Sequence, residues 1–167
     1  MVEYSRTTQV EGLKGSPNNP VFELTEVKPS PISGLGLFAK RRLPKGTLWW
    51  NATPEEVLMF PRNQYQILCQ SVHSPLIQNM IKAIQTYSYY EKKYDALILC
   101  VDNARFVNHS FTPNSGPDSH RTPLQSYALR DIEEGEEILE NYLGYDQCPW
   151  ADVCDDFLKP PAEVQNK

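Results

Sequence analysis

Short groups of apolar residues, separated by polar turns, recur along the chain and predict mostly strands. The segment 21–27 (VFELTEV) alternates and predicts one strand, and 36–50 predicts two strands on either side of a turn at Pro44-Lys45-Gly46. The apolar run 96–101 (ALILCV) predicts a buried strand. The segments 125–132 (QSYALRDI) and 136–142 (EEILENY) flank Glu134-Gly135 and predict a further pair of strands.

Helical periodicity is clearest in one region. Ser74 and Pro75 are residues favoured at the N-cap and first position of a helix. The apolar residues that follow recur at helical spacing and predict an amphipathic helix over about 75–90; they are Leu76, Ile77, Met80, Ile81, Ile84 and Tyr87. The pattern therefore predicts a mainly β fold with short helices and one helical insertion, at about 55–95.

Composition and charge narrow the class of partner. Hydrophobic residues make up 40% and charged residues 22% of the 167 residues, as in ordinary globular domains. The net charge is −5 and the isoelectric point is about 5.2. A protein that grips phosphates needs a basic surface, so direct nucleic-acid binding is not expected. An acidic protein more naturally meets a basic partner.

The cysteines and the N-terminus predict a reducing compartment. Cys69, Cys100, Cys148 and Cys154 have no C-x-x-C spacing, which favours free thiols. Met1 is followed by polar residues, and no apolar run reaches membrane length. We therefore expect an intracellular protein of the nucleus or cytoplasm, with no membrane partner.

The segment 33–39 (SGLGLFA) fits the loose dinucleotide-binding pattern G-x-G-x-x-G/A, and Glu55 and Glu56 follow at about the distance of a ribose-binding acid. A dinucleotide loop must open a helix whose N-terminal amides hold the pyrophosphate. The following segment, 40–46 (KRRLPKG), is too short and too interrupted by proline for that helix. The pattern therefore points away from a nucleotide fold.

Three segments taken together resemble the SET domain, the family of protein-lysine methyltransferases that use S-adenosylmethionine. They are 34–46 (GLGLFAKRRLPKG), 105–115 (RFVNHSFTPNS) and 128–146 (ALRDIEEGEEILENYLGYD). The resemblance implies a SET fold of several small sheets with a C-terminal pseudoknot. It further implies methyl transfer to a lysine side chain of a protein, with cofactor and substrate entering from opposite faces. The expected division is a flexible lead-in at 1–20, the SET domain at 21–147, and a lid and tail at 148–167.

The resemblance also implies which residues contact the cofactor. They are Gly34, Leu35, Gly36, Leu37, Arg105, Phe106, Asn108, His109 and Tyr142. Because the cysteine cluster of many relatives is missing, Trp150 is the candidate for covering the cofactor, by stacking on its adenine or packing a lid. Glycine allows backbone to approach a small molecule closely, and an Asn amide offers both a donor and an acceptor. The alternatives are an ordinary tight turn at the glycines, a structural histidine, and a tryptophan that only anchors the tail.

Tyr142 matches the last tyrosine of the family motif G-E-E-L-T-Y/F-D-Y and is the expected catalytic residue. A phenol can orient the lysine amine, although its ordinary pKa near 10 makes it a poor base. The substrate channel is expected to contain Tyr127, Tyr145 and Phe106, because aromatic faces attract cations. Four further tyrosines of the insertion are expected in the core or at the rim, with contact to substrate left open; they are Tyr87, Tyr89, Tyr90 and Tyr94.

The chain departs from the family pattern at two positions. Phe111 stands where many relatives have a zinc-binding cysteine, so no closed zinc site is expected; the alternative is a metal held by Cys148 and Cys154 with a distant histidine. Glu140 stands where an aromatic residue often governs the number of methyl groups added. Because a carboxylate there would attract ammonium, we expect Glu140 to point outward, with Tyr127 or Phe106 supplying the aromatic group.

The segment from Asp131 to Asp156 carries ten acidic residues and no Lys or Arg. Such a run is either a solvated face or a surface that steers a basic peptide, of which a histone tail is one candidate. The alternative function is a non-catalytic SET module that binds a protein. A hydrolytic or metal-dependent enzyme is disfavoured, because His73, His109 and His120 lack ligand spacing.

Overall fold

The computed structural model describes residues 18–71 and 73–153, and these residues form ten strands and three α-helices. The strands are β1 (Thr25–Pro29), β2 (Leu35–Ala39), β3 (Leu48–Asn51), β4 (Val57–Pro61), β5 (Ser88–Glu91), β6 (Ala96–Cys100), β7 (Asn108–His109), β8 (Ser115–Gly116), β9 (Gln125–Ala128) and β10 (Glu137–Glu140). The helices are α1 (Val21–Leu24), α2 (Arg62–Gln70) and α3 (Pro75–Tyr87), with 3-10 turns at Pro54–Glu56, Asn103–Phe106 and Tyr142–Gly144. The expected mainly β class is confirmed. Most of the predicted lead-in and the tail from residue 154 lie outside the described residues.

Three small sheets carry the fold. Their strand orders are β1-β2-β10-β7, β3-β9-β8 and β4-β6-β5. In the first sheet β10 lies between β2 and β7, antiparallel to β2 and parallel to β7. The loop after β7 also bonds to β10, from Ser110 N–H to the Glu140 carbonyl and from Asn114 N–H to the Leu139 carbonyl. Strand β10 is thus enclosed by segments that precede it in the sequence, as expected of a pseudoknot.

The predicted pairing of the last two strands is wrong. β9 pairs with β3 and β8, whereas β10 pairs with β2 and β7. The chain between β9 and β10 bonds instead to the turn after β2, through an Ile132–Leu43 bridge and from Gly135 N–H to the Ala39 carbonyl. These long-range bonds take the backbone groups that a simple hairpin would have used.

The predicted strand over 21–27 is correct only in its second half. Pro20 occupies the N-cap of α1, and the Leu24 N–H donates to its carbonyl at 2.9 Å. Val21 and Leu24 are one turn apart, and the helix buries both against the core. Their i, i+3 spacing suits a helical turn as well as it suits a strand.

The helical insertion consists of two helices beside the sheet β4-β6-β5. Helix α3 begins at Pro75 as predicted and ends at Tyr87, where the Ser88 N–H bonds to the Ile84 carbonyl. A small core joins this unit and contains Tyr65, Ile84, Tyr90 and Leu97. The larger core contains side chains from all three sheets, and its fully buried members include Leu37, Leu43, Trp49, Ile98, Ile132 and Ile138.

Candidate active site

A cavity of about 340 Å³ lies where the first sheet, the paired tryptophans of β3 and the insertion meet. Its walls come from residues distant in sequence, and they are Ser33, Gly34, Leu35, Trp49, Trp50, Thr86, Tyr87, Ser88, Tyr89, Cys100, Ala104, Arg105, Phe106, Val107, Asn108, Ser126, Glu140, Tyr142 and Tyr145. The volume falls within the range of small-molecule sites, about 300–1,000 Å³. Three separate segments of the predicted motif therefore converge on one cavity.

The loop before β2 forms one rim of this cavity. Gly34 has φ +49°, a conformation that side chains other than glycine rarely adopt. Ser30 fixes the loop: its N–H donates to the Gly34 carbonyl, and its Oγ accepts from the N–H groups of Ile32 and Ser33. Gly34 is therefore required by backbone conformation at the rim.

Glycine is needed at position 36 for a different reason: the carboxylate of Glu137 occupies the space that a side chain would fill. A Cβ at Gly36 would lie 2.2 Å from Oε1 of Glu137 and 2.9 Å from Cβ of Ser30. The Glu137 side chain crosses this position to accept hydrogen bonds from Ser30 Oγ at 3.0 Å and from Asn108 Nδ2 at 2.8 Å. Gly36 thus permits the strand-to-strand bridge under the cavity wall.

Asn108 ties the loop to β7. Its Nδ2 also donates to the carbonyls of Ser33 at 3.2 Å and Leu35 at 3.1 Å. Its Oδ1 accepts no hydrogen bond from the part of the chain that the structure describes, and the residue lines the cavity. The Asn108 amide nitrogen therefore holds the loop and Glu137 together, at a residue that also lines the cavity.

His109 and Tyr142 are linked at the crossing of β7 and the C-terminal segment. The Tyr142 N–H donates to His109 Nδ1 at 3.1 Å, so the ring hydrogen of a neutral imidazole lies on Nε2. Nε2 is buried and has no hydrogen-bond partner among the described residues. The imidazole packs edge-on against Phe111, with ring centroids 4.7 Å apart. The side chain of His109 thus supports the crossing and lies outside the cavity lining.

Tyr142 brings its phenol to the cavity at the start of a 3-10 turn. Its hydroxyl donates to the Val107 carbonyl, which fixes the direction of the O–H bond. Its ring stacks on Tyr145 at 5.9 Å between centroids, and Tyr145 stacks on Tyr89 at 5.2 Å. Three tyrosines from the insertion and the C-terminal segment therefore form a continuous aromatic wall.

The expectation that Glu140 points outward is wrong. Glu140 is 4% exposed and lines the cavity. Its Oε1 accepts from Ser115 Oγ at 2.8 Å, and its Oε2 accepts from the Tyr145 hydroxyl. The alternation of β10 contains the missed signal, because Glu140 lies two residues after the buried Ile138 and shares its face.

The environment of this carboxylate suppresses ionisation nearby. Burial raises the pKa of Tyr145 well above its ordinary value, and the Glu140 charge adds to the shift. Burial likewise raises the pKa values of Tyr89 and Cys100, with smaller additions from Glu140. Tyr89, Cys100 and Tyr145 are therefore neutral at neutral pH.

Two smaller cavities lie on the other side of the tyrosine wall. One, of about 150 Å³, contacts Trp50, Ser126 and the carboxylate-bearing Glu91. The other, of about 200 Å³, contacts Tyr142 and Asp152. Tyr89, Tyr145 and Asp146 line both of them, and the two tyrosines also line the main cavity. The tyrosines therefore form a shared partition between the main cavity and the two smaller ones, whose charged lining residues are Glu91, Arg121, Asp146 and Asp152.

Five of the residues expected at the site do not line the main cavity, and they are Gly36, Leu37, His109, Tyr127 and Trp150. Leu37 is fully buried in the core. The Tyr127 hydroxyl donates to Gln125 on its own strand. Trp150 packs on Tyr65 and Tyr90, and its Nε1 donates to Asp95 at 3.1 Å. Trp150 thus contacts the insertion, because the C-terminal segment turns away from the cavity after Tyr145.

Several cavity residues come from elements outside the predicted site. Trp49 and Trp50 both line the cavity and are both buried, although adjacent side chains of a regular strand point to opposite faces. A register shift in β3 beside β9 accounts for this, because a bulge changes the direction of the side chains. Two adjacent tryptophans in a strand were the available signal for such a bulge. Cys100 and Ser126 also line the cavity, and nothing in their local sequence distinguishes them from core residues.

Within residues 18–71 and 73–153, no group of three or more histidine, cysteine, aspartate or glutamate side chains is arranged to hold a metal ion. Cys154 lies outside these residues, so the sequence-based expectation about metal stays a prediction. None of the helices in the same part of the chain has the length and apolar character needed to cross a membrane.

Comparison with known proteins identifies the fold. A family model of the SET domain matches residues 34–143. A humanised mutant of the Chaetomium thermophilum Polycomb Repressive Complex 2 bound to the inhibitor GSK343 matches with a TM-score of 0.51 and 15% identity, over 74% of this chain and 16% of that chain. A ctPRC2 structure in an autoinhibited conformation bound to S-adenosylmethionine matches with a TM-score of 0.50 and 17% identity, over 71% of this chain and 15% of that one. This chain therefore spans a small part of either protein. Curated proteins give no sequence match.

Proposed function

The chain belongs to the SET-domain family, and from this premise we propose that it transfers a methyl group from S-adenosylmethionine to a lysine side-chain amine of a basic protein. The observation that carries the proposal is the convergence of Gly34, Asn108 and Tyr142 on one cavity. These residues come from the three separate motif segments. A SET fold without a binding function would not require these three motif residues to line the same cavity.

The cavity has suitable chemistry for the cofactor. Gly34, Leu35, Arg105, Phe106 and Asn108 would hold it, with Asn108 Oδ1 accepting from an ammonium or hydroxyl group. Arg105 stacks over the Phe106 ring at 4.6 Å, which gives a flat, partly apolar wall. When bound, S-adenosylmethionine supplies a methyl carbon whose bond to sulfur breaks as the amine lone pair forms the new C–N bond, with the electron pair left on sulfur.

Tyr142 would orient the acceptor amine. Its O–H donates to the Val107 carbonyl, so the phenol oxygen would meet the amine as an acceptor of an N–H. A fixed acceptor of this kind sets the direction of the nitrogen lone pair before the reaction, which lowers the entropic part of the barrier. The phenol acts by orientation and electrostatics, and the amine proton is lost to water.

The substrate would approach from the side of the two smaller cavities. Tyr89 and Tyr145 border all three cavities, so a lysine side chain crossing this partition would meet aromatic faces along its path. Asp146 lies at the outer side and favours a basic peptide. A histone tail is the first substrate to test, and a nuclear or cytoplasmic location would follow from the substrate found.

The test is transfer of a labelled methyl group from S-adenosylmethionine to core histones, followed by intact-mass analysis. We expect wild type to label a histone and Tyr142→Phe to lower the rate about 10²-fold or more, the usual range for a positioned hydroxyl at a reacting centre. Tyr94→Phe is the matched control, because Tyr94 lines none of the three cavities. Its rate should equal that of wild type.

The alternative, a non-catalytic SET module, predicts a different outcome. Folded wild-type protein would then label neither histones nor any protein of a whole-cell extract, even where it binds S-adenosylmethionine. Equal rates for wild type and Tyr142→Phe would instead retain an enzyme but remove Tyr142 from the reaction.

A further inference from the structure

We propose that Glu140 is the group that binds the positively charged end of the acceptor side chain, and that it selects acceptors carrying N–H groups. The expected effect of Glu140 on methyl transfer rests on the proposed function. Binding of an ammonium group by Glu140 can be measured without catalysis. The observation behind it is a buried carboxylate at the wall of the main cavity.

Among the described residues, Glu140 has no cationic side chain as a partner. Arg105 lines the same cavity, but its Nη1 donates to the Val101 carbonyl and its guanidinium covers Phe106. Burying a carboxylate without a cation is costly, so its retention beside an open cavity indicates a cationic ligand.

The carboxylate is also oriented in advance. Ser115 Oγ and the Tyr145 hydroxyl each occupy one of its oxygens. Ser115 is itself fixed, because Trp49 Nε1 donates to its Oγ at 2.7 Å. A carboxylate has about four acceptor sites, so about two remain for a ligand. The chain from Trp49 to Glu140 therefore directs the remaining lone pairs rather than neutralising them.

The surroundings favour an ammonium over other cations. The titratable groups that face the same cavity are Tyr87, Tyr89, Cys100, Arg105, Tyr142 and Tyr145. The stacked tyrosines offer ring faces, which attract a compact cation on an apolar stem. Because the remaining Glu140 sites accept hydrogen bonds, a quaternary trimethylammonium without N–H groups should bind less well than a primary ammonium.

The group would also assist the transfer. Once the bound ammonium has lost a proton to water, its nitrogen lone pair forms the C–N bond and positive charge returns to that nitrogen. A fixed negative charge near that nitrogen stabilises this developing charge without reorganisation. Glu140 is therefore a positioning and electrostatic residue in the reaction.

The experiment is titration of the wild-type protein at pH 7.5 with n-butylammonium, butyltrimethylammonium and 1-butanol, followed by NMR of labelled tyrosine rings. We expect n-butylammonium to bind at least tenfold more tightly than either other ligand. In Glu140→Gln this preference should fall below threefold. Glu134→Gln removes the same charge at an exposed position and should retain the full preference.

Equal binding of n-butylammonium and 1-butanol by wild type overturns the proposal, whether or not any variant folds. An unchanged preference in folded Glu140→Gln overturns it too. If wild type methylates a lysine peptide, Glu140→Gln should raise KM at least tenfold and lower kcat by a smaller factor. Selective ammonium binding without any methyl transfer would leave this inference intact and refute the proposed function.

Discussion

The sharpest structural prediction concerns Gly36→Ala. In the native backbone the new Cβ would lie 2.2 Å from Oε1 and 2.8 Å from Cδ of Glu137, and 2.9 Å from Cβ of Ser30. Contacts this short require the Glu137 side chain to rotate away. That rotation breaks its hydrogen bonds with Asn108 at 2.8 Å and Ser30 at 3.0 Å.

The expected cost can be assembled from these contacts. Loss of two partly buried hydrogen bonds costs about 1 kcal/mol each, and an unfavourable rotamer adds about 1 kcal/mol. Alanine recovers about 0.5–1 kcal/mol, because the unfolded chain is less flexible than with glycine. The net loss in the free energy of unfolding is about 2 kcal/mol. For a chain of this size, that corresponds to a fall in Tm of about 4–8 °C.

The assay is urea unfolding of a double-mutant cycle made of Gly36→Ala, Glu137→Ala and the double variant. Without the Glu137 carboxylate, Gly36→Ala should cost about 1 kcal/mol or less, with the Ser30 contact remaining. Gly116→Ala is the matched control, since its Cβ would meet only the end of the Leu129 side chain, at 3.4 Å. Its stability should stay within about 0.5 kcal/mol of wild type.

Strict additivity in this cycle would refute the reasoning. It would mean that the Gly36 cost has a source other than the Glu137 side chain. A neutral Gly36→Ala would refute it as well, because the close contacts would then relax without loss of the bridge.

Two further predictions concern stability outside the cavity. Hydrogen bonding from Arg130 lowers the pKa of Glu136 from its ordinary 4.5 to about 2. Glu136→Gln should therefore lower the free energy of unfolding by about 1–2 kcal/mol at pH 7, a figure reduced for solvent screening because Arg130 is exposed. In acid-unfolding curves the difference from wild type should vanish as the pH falls from about 4.5 to 2, because the Glu136 carboxylate becomes protonated in the wild type. Trp150→Phe removes the hydrogen bond to Asp95, so calorimetry should show a lower Tm. Titration should show an unchanged affinity for S-adenosylmethionine. A tenfold weaker affinity would mean that Trp150 contacts the cofactor.

The sequence by itself determined the local elements and the motif residues. The helix beginning at Pro75 and the buried strand at 96–100 follow from side-chain periodicity, which depends only on the geometry of one element. The positions of Gly34, Asn108 and Tyr142 at the cavity followed from a resemblance that spans three segments. In each case the necessary information lies within a few residues or in a recognisable pattern.

Only the tertiary structure decided which elements meet. Strand pairing of β9 and β10 with distant partners depends on long-range hydrogen bonds that no local pattern contains. The orientation of Glu140 depends on donors from Ser115 and Tyr145, which offset the cost of burying its charge. Trp150 contacts Asp95 rather than the cavity because of the path of the C-terminal segment. Burial of a polar group is decided by partners brought together in folding, and that is the physical limit of prediction from one sequence.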